Sequence, residues 1–176
     1  EAATWCAPCG KRCTSARRGA DTPTHPHCQN MAMTIAERSL RSGDFPVHWP
    51  VLTRWTDNDM FGHLNNAVYY ALFDTAINAW IGTRTGADPL TAARLAVVAE
   101  SGCRYFSELT FPDPLAVGLA VQRVGRTSVT YRLGVFQTPK GSSDTGDLPV
   151  AAVGHWVHVY VDRDQRRPAP IPEAIR

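Results

Sequence analysis

Between Arg54 and Tyr70 the sequence places Asp57, Asp59, His63, Asn65 and Asn66 within ten residues, between a β-rich run and an apolar helical one. A carboxylate in such a place can attack a carbonyl or draw a proton from water. The unpaired N–H groups and positive dipole end of a helix that begins at Asn65 or Asn66 suit an oxyanion developing on the same carbonyl. The same residues also fit plainer work. Asp-x-Asp before Gly62 is ordinary turn chemistry, Asn65 and Asn66 are ordinary caps, and His63 can be a hydrogen-bonded loop residue. A calcium loop is disfavoured, because the twelfth-position Glu and the alternating oxygen ligands are missing.

The elements that must hold this loop can be read on either side of it. Val47 to Thr56 is rich in β-branched and aromatic residues, and Pro50 assigns that strand to an edge or a bulge. Beyond the loop, Val68, Leu72, Phe73, Ala76 and Trp80 recur at helical spacing, which predicts a mostly buried helix ending at Gly82. Residues 94–109 suit a long strand with a bulge at Gly102. Residues 115–124 and 127–137 form a hairpin about Gly125-Arg126, with Val129, Tyr131, Leu133 and Val135 sharing one face. In a last strand, Val150 to Val161, Val153, Val157, Val159 and Val161 share a parity. One helix among about five strands, with no βαβ alternation after residue 85, is an α+β pattern in which an antiparallel sheet covers the helix.

The chain's 176 residues, 44% of them hydrophobic, suit one domain with a folded core. Eighteen basic against 16 acidic residues is too even for a protein that works by neutralising nucleic-acid phosphates. The excess falls in residues 1–30, so the rest of the chain is formally neutral. Cys103 is the one cysteine beyond those thirty residues, which rules out an intrachain disulfide framework there and points to a reducing, cytoplasmic home. No apolar run reaches membrane-spanning length, and the leader lacks the apolar core of a signal peptide. The leader does hold Cys6, Cys9, Cys13, His25, His27 and Cys28, all zinc-ligand types, but their spacing fits none of the common patterns cleanly. The expectation is a disordered or non-native leader over residues 1–43, upstream of a start at Met31 or Met33 and carrying a short helix from Met33 to Leu40. The functional domain is then 44–176.

Taken whole, Asp57-x-Asp59-x-x-Gly62-His63-x-Asn65-Asn66-x-x-Tyr69 resembles the acyl-CoA thioesterases of the hot-dog fold, in particular the hydroxybenzoyl-CoA thioesterase-like group. Phe111-Pro112-Asp113-Pro114, Gly125-Arg126-Thr127-Ser128, Gly154-His155-Trp156 and the Pro-rich exit from Arg167 to Pro172 extend the resemblance over about residues 47–172. It implies a five- to six-stranded antiparallel sheet wrapped around one long helix. It further implies hydrolysis of a thioester to free acid and coenzyme A, with no cofactor besides the coenzyme A of the substrate. Asp59 is then nucleophile or general base, and N–H groups near Asn66 form the oxyanion hole. Plant acyl-ACP thioesterases resemble this stretch too and imply a catalytic role for His63, although their Asn falls on Phe61 here.

Several other expectations attach to the resemblance. Asp57 and Asn65 shape the loop, Asn65 is also a candidate to bind substrate, and Phe61, Tyr69, Tyr70 and Trp80 are candidates to line an acyl pocket. Arg126, Thr127 and Ser128 can hold a phosphate of coenzyme A through a charged fork and two hydroxyls. Glu100 and Ser101 are further candidates from the second long strand, whereas Arg163, Arg166 and Arg167 read as a solvated tail. His155 and His158 have opposite parity, so they share no metal, and none is expected in the body. Cys103 reads as core. Sheets paired edge to edge would give a homodimer or homotetramer with the site at the interface, and no nucleic acid as partner. Two other functions use the same fold. An acyl-thioester hydratase or dehydratase would pair Asp59 with His63 as acid and base, but Met60-Phe61-Gly62 stands where its longer Asn-Pro spacing would be. A non-enzymatic acyl-CoA sensor would not need Asp59, and the leader has no helix-turn-helix pattern.

Overall fold

A computed structural model of the chain describes residues 5–6, 11–12, 36–86, 88, 90–140 and 146–176. It divides into two compact units, Glu1–Ala36 and Glu37–Arg176. In the first, Trp5 and Cys6 pair antiparallel with Arg12 and Lys11. Cys9, Cys13, His25, His27, Cys28, Met31 and Met33 lie outside the described residues, and with them the zinc reading and the start of the short helix. The second unit begins before Asp44, because Arg41 forms a bridge with Pro149 and the Ser42 N–H donates to the Leu148 carbonyl at 3.0 Å, and Phe45, 2% exposed, packs its ring 5.4 Å from that of Phe136.

Five strands and one long helix build this unit: β1 (Val47–Val51), α1 (Asn66–Thr85), β2 (Arg94–Tyr105), β3 (Leu115–Val124), β4 (Ser128–Gln137) and β5 (Ala152–Asp162). The sheet order is β1-β3-β4-β5-β2, antiparallel throughout, so β1 and β2 are its two edges. Pro50 sits on edge strand β1, where its missing N–H leaves the ladder intact. The strand stops at Val51, and Trp55–Asp57 form a short 3-10 turn into the loop.

The helix packs one face on the sheet. Tyr69, Leu72, Phe73, Ala76 and Ile77 are its buried residues, at the 3-4 spacing of a single stripe, while Asp74, Thr75 and Asn78 remain exposed. The expectation of a mostly buried helix is therefore corrected to one buried face. Phe73, fully buried, fits against β5 so closely that a Cβ on Gly154 would lie 2.6 Å from its ring. Burial of that side chain contributes about 1.5–3 kcal/mol. Gly82 does not end the helix. It continues to Thr85, and Gly86, at φ 65, donates its N–H to the Gly82 carbonyl at 2.8 Å.

In β4, Val129, Tyr131, Leu133 and Val135 are all at most 2% exposed, as their alternation implies. In β5 the deeply buried row is the opposite parity from most of the valines. Trp156, His158 and Tyr160 are buried, while Val157 and Val159 are only half-buried, since the larger rings fill the space beneath α1. The irregularity in β2 falls between Val98 and Glu100 rather than at Gly102. That strand ends at Tyr105, not at Leu109, because the Phe106 and Ser107 N–H groups both donate to the Ala151 carbonyl and the chain leaves the ladder there. The residues that follow run alongside the polar loop.

Candidate active site

Asp57 and Asp59 are two residues apart and have opposite surroundings. Asp57 is 5% exposed, and one of its oxygens takes the Arg54 backbone N–H at 2.8 Å. The other takes the Arg54 Nη2 and Nε groups at 3.0 and 3.3 Å. Burial pushes the Asp57 carboxyl up, but the hydrogen bonds and charge of Arg54 outweigh it and hold the group below the usual carboxylate range. The Asp57 carbonyl also accepts the Asn65 N–H at 2.8 Å, which ties the 3-10 turn to the start of α1. Asp57 thus shapes the loop.

Asp59 heads a tight turn that closes on itself. Its N–H donates to the His63 carbonyl at 2.8 Å, and the Gly62 N–H donates to its carbonyl at 3.1 Å, with Gly62 at φ 83. Its Oδ1 accepts from the N–H groups of Phe61 at 2.8 Å and His63 at 3.3 Å. Oδ2 has no donor among the described residues. One carboxylate oxygen is anchored and the other is available.

Asn65 is the N-cap of α1. Its Oδ1 accepts the Ala67 N–H at 2.9 Å and its carbonyl accepts the Val68 N–H at 2.9 Å. Asn65 N–H is taken by Asp57, so in the first turn the Asn66 N–H is left without an acceptor among the described residues. That unpaired donor at the positive end of a 20-residue helix is positioned by the same turn that presents Asp59.

His63 is half-buried, and its Nε2 lies 3.1 Å from Glu108 Oε2. Phe61, 77% exposed, projects from the loop beside Met60 at 91%. Tyr69 is 3% exposed and belongs to the core, its ring 5.0 Å from that of Tyr105. Burial pushes the Tyr69 hydroxyl up to about 12, with the Cys103 charge adding to it. Burial likewise pushes the Cys103 thiol up to about 11, so it is not a thiolate at neutral pH. Tyr105, its hydroxyl held protonated by burial, sits 3.1 Å from the Asn66 carbonyl.

Asp59, His63, Asn65, Asn66 and Phe61 therefore stand together. Arg126, Thr127 and Ser128 do not join them within the chain. β3 begins at Leu115, just after the Thr110-Phe111 segment that touches the loop, and ends at Val124, before the turn. Ten residues of strand span about 30 Å. Glu100 and Ser101 face opposite ways: Glu100 meets His155 at 3.4 Å, while Ser101 pairs with the inward-facing Trp156. The sequence places Asn58 in the loop without a role and gives no sign of Tyr105, Glu108 and Thr110, which contact the loop or the helix start from outside it. Their partners lie 39 to 53 residues away, beyond any local spacing.

The chain matches the family model of the thioesterase-like superfamily over residues 53–176. Its structure is similar to the PA5185 protein of Pseudomonas aeruginosa strain PAO1, with a TM-score of 0.71 and 38% identity over 77% of this chain and 90% of that one. It is also similar to a thioesterase from Thermus thermophilus complexed with coenzyme A and Zn, with a TM-score of 0.60 and 32% identity, covering 75% and 95%. The DHNA-CoA thioesterase of Staphylococcus aureus, at 17% identity and a TM-score of 0.59 over 70% and 78%, shares the fold. A search of curated proteins gave no match. The antiparallel sheet around one helix is the hot-dog fold, and the chain belongs to the thioesterase-like superfamily as a thioester hydrolase.

Proposed function

We propose that the protein is an acyl-CoA thioesterase in which Asp59 Oδ2 and the Asn66 N–H act on the same thioester carbonyl. The observation that carries this reading is the pair of groups unpaired among the described residues, Asp59 Oδ2 and the Asn66 N–H, where the loop meets α1: Oδ1 is anchored by two N–H groups while Oδ2 has none. A carbonyl oxygen held at Asn66 N–H gains charge as the carbon is attacked, and the helix end stabilises it. By the general-base route, Oδ2 takes a proton from water, the water oxygen bonds to the carbonyl carbon, and the C–S bond breaks. The products are the free acid and the coenzyme A thiol. By the nucleophilic route Oδ2 itself bonds to the carbon, the C–S bond breaks to release the coenzyme A thiolate, and water then attacks the Asp59 carbonyl of the resulting anhydride to free the acid. Single turnover in ¹⁸O water separates them, since only the second leaves label in the Asp59 carboxylate.

The coenzyme A complex of the Thermus thermophilus thioesterase supports coenzyme A as the leaving group. A homodimer answers the separation of Arg126, Thr127 and Ser128 from Asp59. The edge of β2, unpaired among the described residues, exposes Val97 and Val98 at 37% and 46%. Antiparallel pairing of two such edges brings the hairpin end of one copy beside the loop end of the other, about 15 Å across rather than about 30 Å along one chain. His63 has a secondary part in this reading, orienting the turn through its backbone and holding Glu108 at its ring.

Thiol release from a panel of aliphatic and aromatic acyl-CoA esters tests the function. Release well above the buffer rate for at least one class is expected. Tight binding of coenzyme A with release no faster than buffer would contradict hydrolysis and favour a sensor.

A further inference from the structure

The segment that leaves β2 holds the Asp59 turn from outside. Thr110 Oγ1 accepts from Asn58 Nδ2 at 3.1 Å and lies 2.9 Å from the Gly62 carbonyl, closer than the 3.2 Å to the Phe111 carbonyl. Its single proton therefore goes to Gly62. The Asn58 Oδ1 accepts the Phe111 N–H at 3.1 Å. Beneath these contacts, Asn58 bridges to Leu64, and the Leu64 N–H donates to the Leu109 carbonyl at 2.7 Å. Asn58 and Gly62 flank Asp59, so one hydroxyl grips the turn on both sides of the carboxylate.

We propose that Thr110, acting with Asn58, is a positioning residue for thioester cleavage, its hydroxyl clamping the Asp59–His63 turn so that Asp59 Oδ2 faces a carbonyl held at Asn66 N–H. The inference rests on the thioester-hydrolase reading of Asp59. The bonds to Asp59 Oδ1 fix the side chain within its own turn but do not fix the turn against α1. Packing of Leu64, 4% exposed, and the Asp57–Asn65 bond hold the base of the turn, but Met60 and Phe61 at its tip are largely exposed. Hydrogen bonds from the 109–111 segment hold the part between, at Asn58 and Gly62. A nucleophile or base displaced by about 1 Å can lose about a hundredfold in rate, so the clamp is kinetically consequential.

Thr110→Val keeps the shape and removes the hydroxyl, whereas Thr110→Ser restores it. The valine variant is expected to lose about tenfold or more in kcat with KM changed by less than about twofold, and the serine variant to recover most of the loss. Hydrogen exchange at the Phe61 and His63 amides gives a second readout that needs no substrate: faster in Thr110→Val, unchanged in Thr110→Ser. If the wild type cleaves no thioester, the functional reading fails and exchange alone decides the clamp. A lowered thermal midpoint with wild-type kcat and wild-type exchange would make Thr110 purely structural and overturn the proposal. Should the valine variant not fold, Asn58→Ala carries the same test, with the same loss of kcat and faster exchange expected.

Discussion

The two ends of the five-stranded sheet both carry polar residues suited to an acyl-CoA substrate, yet they hold them in opposite ways. At the loop end, hydrogen bonds hold Asp57, Asn58, Asp59 Oδ1 and Asn65 Oδ1, and leave Asp59 Oδ2 and the Asn66 N–H unpaired among the described residues. At the hairpin end, the fold uses the backbone of the turn itself. The Thr127 carbonyl accepts from Tyr160 N–H, the Ser128 carbonyl from Gly125 N–H, and the Arg126 carbonyl from Ile171 N–H. The Arg126 side chain is exposed, and behind the turn His158, Trp156 and Tyr160 fill the core. The difference separates reactivity from affinity. A reactive atom needs a rigid setting with one valence left open, whereas a phosphate contact needs only an exposed cation on a stable turn.

Apart from changes to Asp59 itself, removing the proposed oxyanion donor should have the largest effect. Asn66 is the first residue of α1, a position proline tolerates, and Asn65 at φ −58 and ψ 137 already has the backbone that precedes a proline. Asn66→Pro deletes the unpaired N–H with little other change. Steady-state kinetics should show kcat lower by about 10²–10³-fold, with a thermal midpoint near wild type. An unchanged kcat would place the donor elsewhere and erase the contrast between the two ends.

A smaller effect is expected from the core behind the hairpin. His158 is 1% exposed, with the Tyr131 and Trp156 rings at 5.6 and 6.4 Å, Tyr160 next along the strand and Asp74 acting on it from α1. Burial lowers its basicity and the Asp74 charge only partly opposes this. The unfolded chain then takes up a proton near the ordinary histidine value while the folded chain does not. Stability is thus full above about pH 6.5 and falls as pH drops from there toward the lowered folded value, by at most about 1.4 kcal/mol per pH unit. Urea midpoints from pH 7.5 to 5 should fall less steeply in His158→Leu than in the wild type, and equal slopes would mean that His158 does not contribute to the pH dependence.

The smallest effect belongs to the turn. Arg126→Ala should raise KM several-fold, by about 1 kcal/mol, and leave kcat unchanged, because an exposed charge contact is weak. A fall in kcat instead would give the hairpin end a share in the chemistry.

How much of this could be read from the residues follows from where their partners lie. The Asp59 loop, the Asn65 cap and the β4 alternation are local patterns, written in contiguous sequence, and each reappears in the structure. The 109–111 clamp is not local, since Thr110 meets Asn58 from 52 residues away and no periodicity marks either one. Gly82 resembled a helix stop because glycine is costly in a helix, but Gly86 provides the left-handed residue that the stop requires. The valines of β5 indicated a face without saying which way it points, and the burial of Trp156 and Tyr160 decided that.

In the proposed mechanism Asp59 Oδ2 carries the chemistry. Asp59→Asn keeps Oδ1 and its two N–H contacts while replacing Oδ2 with an amide nitrogen. Coenzyme A binding and thiol release from the best acyl-CoA ester, measured on the same preparations, give the test. Binding within about threefold of wild type and kcat lower by about 10²–10⁴-fold is the expected result. Equal rates of thiol release from both proteins would contradict it.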